Sequence, residues 1–433
     1  MKVELAYSRG ILPVNLPDEC DVQLLRKVPM QTLADPGAAV EQAYAHPVGG
    51  APLAQLAHGK SSACILICDI TRPVPNGLIL PPMIRTLLDA GIDAAHITVL
   101  VATGLHRPNE GEELRELVGS EWVLDTVAVE NHFARNDDDH VDMGMTATRG
   151  TPVKLDRRFV AADMRIVTGL VEPHFMAGYS GGRKVIAPGI AHEDTIRTFH
   201  SARFMEDPAA VQCNLVDNPL HEEQLEILRM LGGEIWAVNT VLDEARNTTF
   251  VNFGEILQSH AEAVDYVRRS SLVSVARKFH TVVTSAAGFP LDATYYQTVK
   301  GMVMPMDVLE PGADLIIAAA CTEGLGSLEF RAAQERLVAH GTDAFLQQIL
   351  AKRFADVDEW QTEMQLKPMR IANVHLYTDG LNAVDRAITG VNMIDSIEDA
   401  VRASVARSGD RRVAVIPEGP YVVPFHRPQG LAA

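Results

Sequence analysis

Ala63-Cys64-Ile65-Leu66-Ile67-Cys68-Asp69 is apolar through six residues and closes on a carboxylate. A run that is apolar on both faces of a two-residue repeat reads as a strand covered from both sides, as in a parallel sheet. Behind it Leu78 to Ala90 carries a helical pattern, and Ile97-Thr98-Val99-Leu100-Val101-Ala102 is a second strand of the same kind. Strand, helix, strand is the βαβ unit, so this stretch sets the class as α/β. Outward from it, a helix is expected from about Asn109 to Val118, and strands near Trp122 to Val129 and Met164 to Thr168. Upstream, Met1 to Tyr7 alternates like a strand.

Ala263 to Phe279 lacks a strong turn signal and reads as a connecting helix before another strand, His280 to Ser285. The alternation then resumes with a helix from about Ala293 to Leu309, strand Ala313 to Ala320, a helical stretch through Ile349, and strands Arg370 to Leu376 and Arg412 to Ile416. A chain of 433 residues exceeds what one core usually organises. The expectation is two α/β domains joined by hinge helices, with an active-site cleft between them. The first spans 1–270 and the second 280–400, with the tail of about 405–433 packing back on the first.

Composition narrows the class of partner. A formal charge of −18 opposes broad binding to nucleic acid or an anionic membrane. Apolar runs are too short to span a bilayer, and Glu4 interrupts what a secretory signal would need, so a cytoplasmic location is expected. Of the five cysteines, Cys64 and Cys68 share one face of a strand and read as reduced core thiols. An anionic substrate must be caught by local arginines and lysines.

In open α/β sheets, ligands sit beyond the carboxyl ends of the strands. Three such loops are polar here. Asp69-Ile70-Thr71-Arg72-Pro73 offers a carboxylate and a guanidinium fork able to clasp a carboxylate. Thr103-Gly104-Leu105-His106-Arg107-Pro108 presents a histidine, and Glu172-Pro173-His174-Phe175 presents another. Two histidines at strand ends suit an acid/base reaction in which one takes a proton and the other gives it. His132, His140, His192, His221, His260 and His340 read instead as surface or helix-capping residues.

Gly178-Tyr179-Ser180-Gly181-Gly182-Arg183-Lys184 follows the third loop and suits a phosphate through its glycines and two cations; a plain packing turn is the alternative. It is not a Walker loop, because Arg183 separates Gly182 from Lys184 and Val185 stands where a magnesium-binding hydroxyl belongs. A helix starting near Glu193 would carry His200 on the face of Ile196, where a core histidine and a metal ligand look alike. No HExxH, paired CxxC or zinc-type spacing occurs. Downstream, Tyr296 and Lys300 lie four apart on one helix face. Arg331, Arg336 and Trp360 are expected to be structural.

Together these motifs resemble the lactate racemase family of nickel-pincer enzymes. The resemblance is carried by the run from Pro173 through Lys184, Ala187-Pro188-Gly189 and His200, with Asp69 to Pro73, Thr103 to Arg107, and Tyr296 to Lys300 in support. It implies a nickel-pincer nucleotide, a pyridinium-3-thioamide-5-thiocarboxylic acid mononucleotide, attached covalently at Lys184. The turn Gly181, Gly182 and Arg183 would lie along it, and His200 would ligate the nickel. It further implies His106 and His174 as the acid/base pair and Arg72 as the carboxylate clamp, with Asp69 orienting Arg72 or a histidine and Tyr296, Gln297 and Lys300 binding substrate. The activity implied is inversion of a small 2-hydroxy acid by proton-coupled hydride transfer, supported by cofactor maturation proteins.

Two other readings compete. A dehydrogenase with a diffusible nicotinamide cofactor needs a dinucleotide turn, and Gly324-Leu325-Gly326 lacks its third glycine. A two-lobed, non-catalytic binding protein leaves the histidines without a role.

Overall fold

The computed structural model describes residues 1–427, so the last six residues of the tail lie outside the described residues. The chain divides into two compact units. One comprises Pro29–Phe199 and Asp207–Arg269, and the other Met1–Val28, His200–Glu206 and Ser270 onward.

The sheet of the first unit has six strands in the order Thr248–Glu255, Trp236–Leu242, Met164–Leu170, Ala63–Cys68, Ile97–Ala102, Ala128–Asn131. All neighbours run parallel except the first pair. Every residue of Ala63–Cys68 is buried, as its unbroken apolar run requires. From this strand the chain winds outward through Ile97–Ala102 to Ala128–Asn131, then returns on the other side as Met164–Leu170. The winding direction therefore reverses between Ala63–Cys68 and Met164–Leu170, and the loops leaving these two strands diverge.

The second unit repeats the plan with six parallel strands: Asn392–Ile394, Ala372–Tyr377, Leu309–Ala318, Phe279–Ser285, Arg412–Ile416 and Asp21–Leu24. Three segments differ from the expected domain bounds, His200–Glu206 being the shortest. Residues 1–28 belong here because Asp21–Leu24 extends this sheet and the hairpin of Lys2–Tyr7 with Gly10–Asn15 buries Val3, Leu5 and Val14 against Val283, Ile316 and Val413. Each such side chain contributes about 1.5–3 kcal/mol by leaving water, which no local periodicity reveals. The described part of the tail belongs here too: Arg412–Ile416 is an inner strand, and Val423–His426 pairs with Leu272–Val275.

Local differences have local causes. Trp122 to Val129 is not one strand: Glu121–Thr126 is helical, begun by the Ser120 hydroxyl accepting from the Val123 N–H, and only Ala128–Asn131 is extended. The helix expected to carry His200 ends at Phe199, so His200 follows it rather than sharing a face with Ile196. The connecting helix runs earlier than expected, Ile256–Ser271. Among the described residues, no helix is long and apolar enough to cross a membrane. Cys64 and Cys68 are buried free thiols.

Candidate active site

Three neighbouring strands of the first unit end in the three loops singled out above. From the Ala63–Cys68 strand comes Arg72, and from Met164–Leu170 comes Glu172; Arg72 Nη1 donates to Glu172 Oε1 at 2.6 Å, spanning the loops on either side of the reversal. From Ile97–Ala102 comes His106, whose Nδ1 lies 2.5 Å from Asp69 Oδ2. A carboxylate only accepts, so Nδ1 carries the hydrogen and Nε2 holds the lone pair. Asp69 also takes the Thr71 hydroxyl at 2.6 Å and the Thr71 N–H at 3.2 Å. Burial pushes the Asp69 carboxyl up, but the bonds from His106 and Thr71 and the charge of Arg72 outweigh it and hold the group below its ordinary range.

His174 sits in a two-residue hairpin, Pro173–His174 against Gly178–Tyr179, with its ring stacked on Phe175 at 4.9 Å. Its Nδ1 accepts the Ala177 N–H at 3.2 Å and the Met176 N–H at 3.4 Å, so the neutral ring carries its hydrogen on Nε2. The two histidines are thus backed oppositely, His106 by an acceptor and His174 by donors.

Arg183 corrects one expectation. Its guanidinium is 1% exposed and donates to the carbonyls of Ala177 at 3.1 Å and Tyr179 at 3.3 Å, with His260 Nε2 at 3.4 Å. It faces inward and ties down the His174 hairpin instead of reaching for a phosphate. The glycines before it are also set by packing. A Cβ on Gly181 would meet Val171 at 2.8 Å, and one on Gly182 would meet the His260 ring at 2.8 Å; both have positive φ. Lys184, the next residue, is only half-buried. Its charge acts on Cys68, where burial pushes the thiol up to about 11 against the pull of Arg72 and Lys184. The loop after this helical turn is tied to the His106 loop by the Gly104 N–H donating to the Gly189 carbonyl at 2.9 Å.

The other candidates lie in the second unit. His200 is 7% exposed and its ring lies 5.2 Å from that of Trp360. Trp360 Nε1 donates to the Tyr296 hydroxyl at 3.3 Å, and Gln361 Nε2 to the Tyr296 carbonyl at 2.7 Å. Tyr296, Gln297 and Lys300 share the helix Tyr295–Val303, whose start is capped by Thr294. Gln297 Oε1 is enclosed without a hydrogen-bond partner among the described residues, a vacancy a ligand donor could fill. Arg331 pairs with Asp385, and Arg336 with Glu359 at 2.6 Å.

Four histidines expected at the surface or at helix caps are buried. His132 is bonded to Asp156 at 2.9 Å and to the Ala191 carbonyl at 3.2 Å, and the rings of His132, His140 and His192 stack edge to face at 5.1 and 5.0 Å. His260 is buried beside Arg183. The partners of His132 and His260 come from distant sequence, so spacing carries no trace of them. Glu172, by contrast, was missed as a site residue although it opens the loop that carries His174.

The residues present fit the implied nucleotide. Lys184 brings a part-open amine, the group an acyl or thioacyl link needs, to the strand ends that carry both histidines. Among the described residues no three His, Cys, Asp or Glu side chains gather as a metal site. If the group carries a metal, His200 would be the imidazole that holds it.

The Lactate racemase N-terminal domain family matches residues 7–212, and the Lactate racemase C-terminal domain family matches residues 275–423. Lactate racemase of Lactiplantibacillus plantarum is 31% identical over 389 residues, 89% of this chain and 90% of that protein. Lactate racemase of Thermoanaerobacterium thermosaccharolyticum is 28% identical over 438 residues, 97% and 98%. The structure of that enzyme's apoprotein superposes with a TM-score of 0.90 at 27% identity, covering 98% of this chain and all of the other. Two α/β units with histidines at strand ends, and relatives of this kind, define an isomerase. The chain belongs to the lactate racemase family.

Proposed function

We propose that the protein inverts the α-carbon of a small 2-hydroxy acid, using a nickel-pincer nucleotide carried on Lys184. The observation that supports this most directly is the gathering of Arg72, Asp69–His106, His174 and Lys184 at the ends of three adjacent strands. When bound, the nucleotide with its nickel supplies the acceptor for the α-hydrogen, with His200 as the metal's protein ligand. The remaining work falls to the chain. Arg72 holds the substrate carboxylate, which places the hydroxyl near the histidines. For one enantiomer, His106 Nε2 takes the hydroxyl proton while Asp69 stabilises the imidazolium that forms. His174 serves the other enantiomer; its amide contacts at 3.2 and 3.4 Å are long, and giving them up lets Nδ1 take the hydrogen and frees Nε2 to act as base. Tyr296, Gln297 and Lys300 are the further substrate-binding residues of this reading, and lactate is the first acid to test because the relatives are named for it.

The test is the intact mass and nickel content of protein from its native host, with chiral chromatography of single enantiomers of several 2-hydroxy acids. A mass excess at Lys184 with nickel and racemisation supports the reading. Racemisation by unmodified, nickel-free protein overturns the cofactor, and modified protein that racemises no 2-hydroxy acid overturns the substrate class.

A further inference from the structure

We propose that Glu172 is a positioning residue for carboxylate recognition: it grips Arg72 through Nη1 alone and keeps the rest of the guanidinium available to the substrate carboxylate. The inference rests on Arg72 being the carboxylate clamp, as proposed above. Arginine is a long side chain that loses rotamer freedom when fixed, so a clamp aimed in advance binds better than one that must be ordered by the ligand. Among the described residues, the bond to Glu172 Oε1 at 2.6 Å is the hydrogen bond that the Arg72 guanidinium makes. One nitrogen of a planar fork is thereby used, leaving donors for a second carboxylate.

Glu172 is itself built to stay in place. Its N–H donates to Ser180 Oγ at 3.0 Å, its carbonyl accepts from the Ser180 N–H at 3.0 Å, and Ser180 Oγ donates to the Leu170 carbonyl at 2.7 Å. Ser180 in turn adjoins the Gly181-Gly182-Arg183-Lys184 turn, so one hydroxyl fixes Glu172 relative to the residue proposed to carry the cofactor. The ion pair spans the two loops that diverge at the reversal of the sheet, where ligands bind in folds of this kind. Both side chains are part-open there, 26% exposed for Arg72 and 33% for Glu172.

Charge placement gives the second reason. Asp69 is the other carboxylate whose charge acts on Arg72. Were Arg72 to fall onto Asp69, it would compete for the oxygen that holds His106 Nδ1. Glu172 draws the guanidinium the other way and separates the clamp from the base. A carboxylate does not itself bind an anionic substrate, so Glu172 acts through Arg72.

The test compares cofactor-loaded wild type, Glu172→Gln and Glu172→Ala, each checked for equal modification of Lys184 by intact mass. With a 2-hydroxy acid that the wild type racemises, Glu172→Ala should raise KM about tenfold or more and change kcat about threefold or less. Glu172→Gln keeps an acceptor without the charge and should raise KM less, about threefold. Unchanged KM in both variants, or equal KM in the two, overturns the proposal; if Glu172→Ala does not fold, the KM of Glu172→Gln decides alone. If the wild type turns over no 2-hydroxy acid, the functional reading has failed separately, and glycolate binding by calorimetry takes over. Weaker glycolate binding by the variants then supports the positioning role, and equal binding overturns it.

Discussion

His106 Nδ1 and Asp69 Oδ2 lie 2.5 Å apart, with the imidazole side chain 55% exposed and the carboxylate 8%. The acid is therefore the fixed, inner partner and the ring the outer one, with Nε2 left as the nitrogen that does not face Asp69. The arrangement holds one tautomer and steadies the charge that appears when Nε2 takes a proton.

Replacing Asp69 with Asn keeps an acceptor for Thr71 but removes the charge behind His106. Racemisation should fall about 100-fold or more in kcat, with KM changed far less. Initial rates from each pure enantiomer, beside an unchanged circular dichroism spectrum, check this.

Lys184→Ala and His200→Ala should separate attachment from metal retention. In protein from the native host, Lys184→Ala should show no added mass, whereas His200→Ala should keep the adduct and lose nickel. Intact mass and metal analysis on the same samples read both.

Gly182 has φ +50°, and a Cβ there would come within 2.8 Å of the His260 ring. Gly182→Ala should cost about 2 kcal/mol or more, from the left-handed backbone and the overlap combined. Gly150, at φ +70° with no atom within 4 Å of a built Cβ, pays only the backbone part and serves as the comparison. Thermal melting of both variants gives the difference.

Burial and then the Arg183 charge push the His260 imidazole down to about 3. In the unfolded chain such a group titrates near pH 6.5, so on acidification the unfolded state takes the proton first. Stability is intact above about pH 6.5 and is lost progressively toward pH 3, by up to about 1.4 kcal/mol per pH unit. Urea midpoints at pH 7, 5.5 and 4.5 should fall accordingly, and a folded His260→Gln variant should show a shallower fall.

The strand ends were legible because burial on both faces leaves a continuous apolar run, and the residue after the run, such as Asp69, must stand at the sheet's edge. Arg183 and Lys184 were not separable, because adjacent cations look equivalent until the packing shows one folded under the hairpin and the other left part-open. Glu172 was passed over for its neighbour His174 because its meaning lies in a partner 100 residues away. The buried His132 escaped for the same reason: what offsets its burial, Asp156 and the Ala191 carbonyl, is assembled only by the fold. Trp122 misled because a short amphipathic turn and a short strand share their composition, and the Ser120 cap decided it.

The pairing of Val22 with Val413 places two edges of the chain in one sheet. During synthesis the Asp21–Leu24 segment leaves the ribosome about 390 residues before the strand it docks on. At about 5–20 residues per second, that is a wait on the order of tens of seconds. The hairpin of Lys2–Tyr7 and Gly10–Asn15, whose apolar face is covered by Val283 and Val413, shares the delay. The nascent polypeptide thus carries Lys2–Leu24 uncovered while the Pro29–Arg269 unit folds behind it, and expression should respond to chaperone supply more than to the stability of the finished protein.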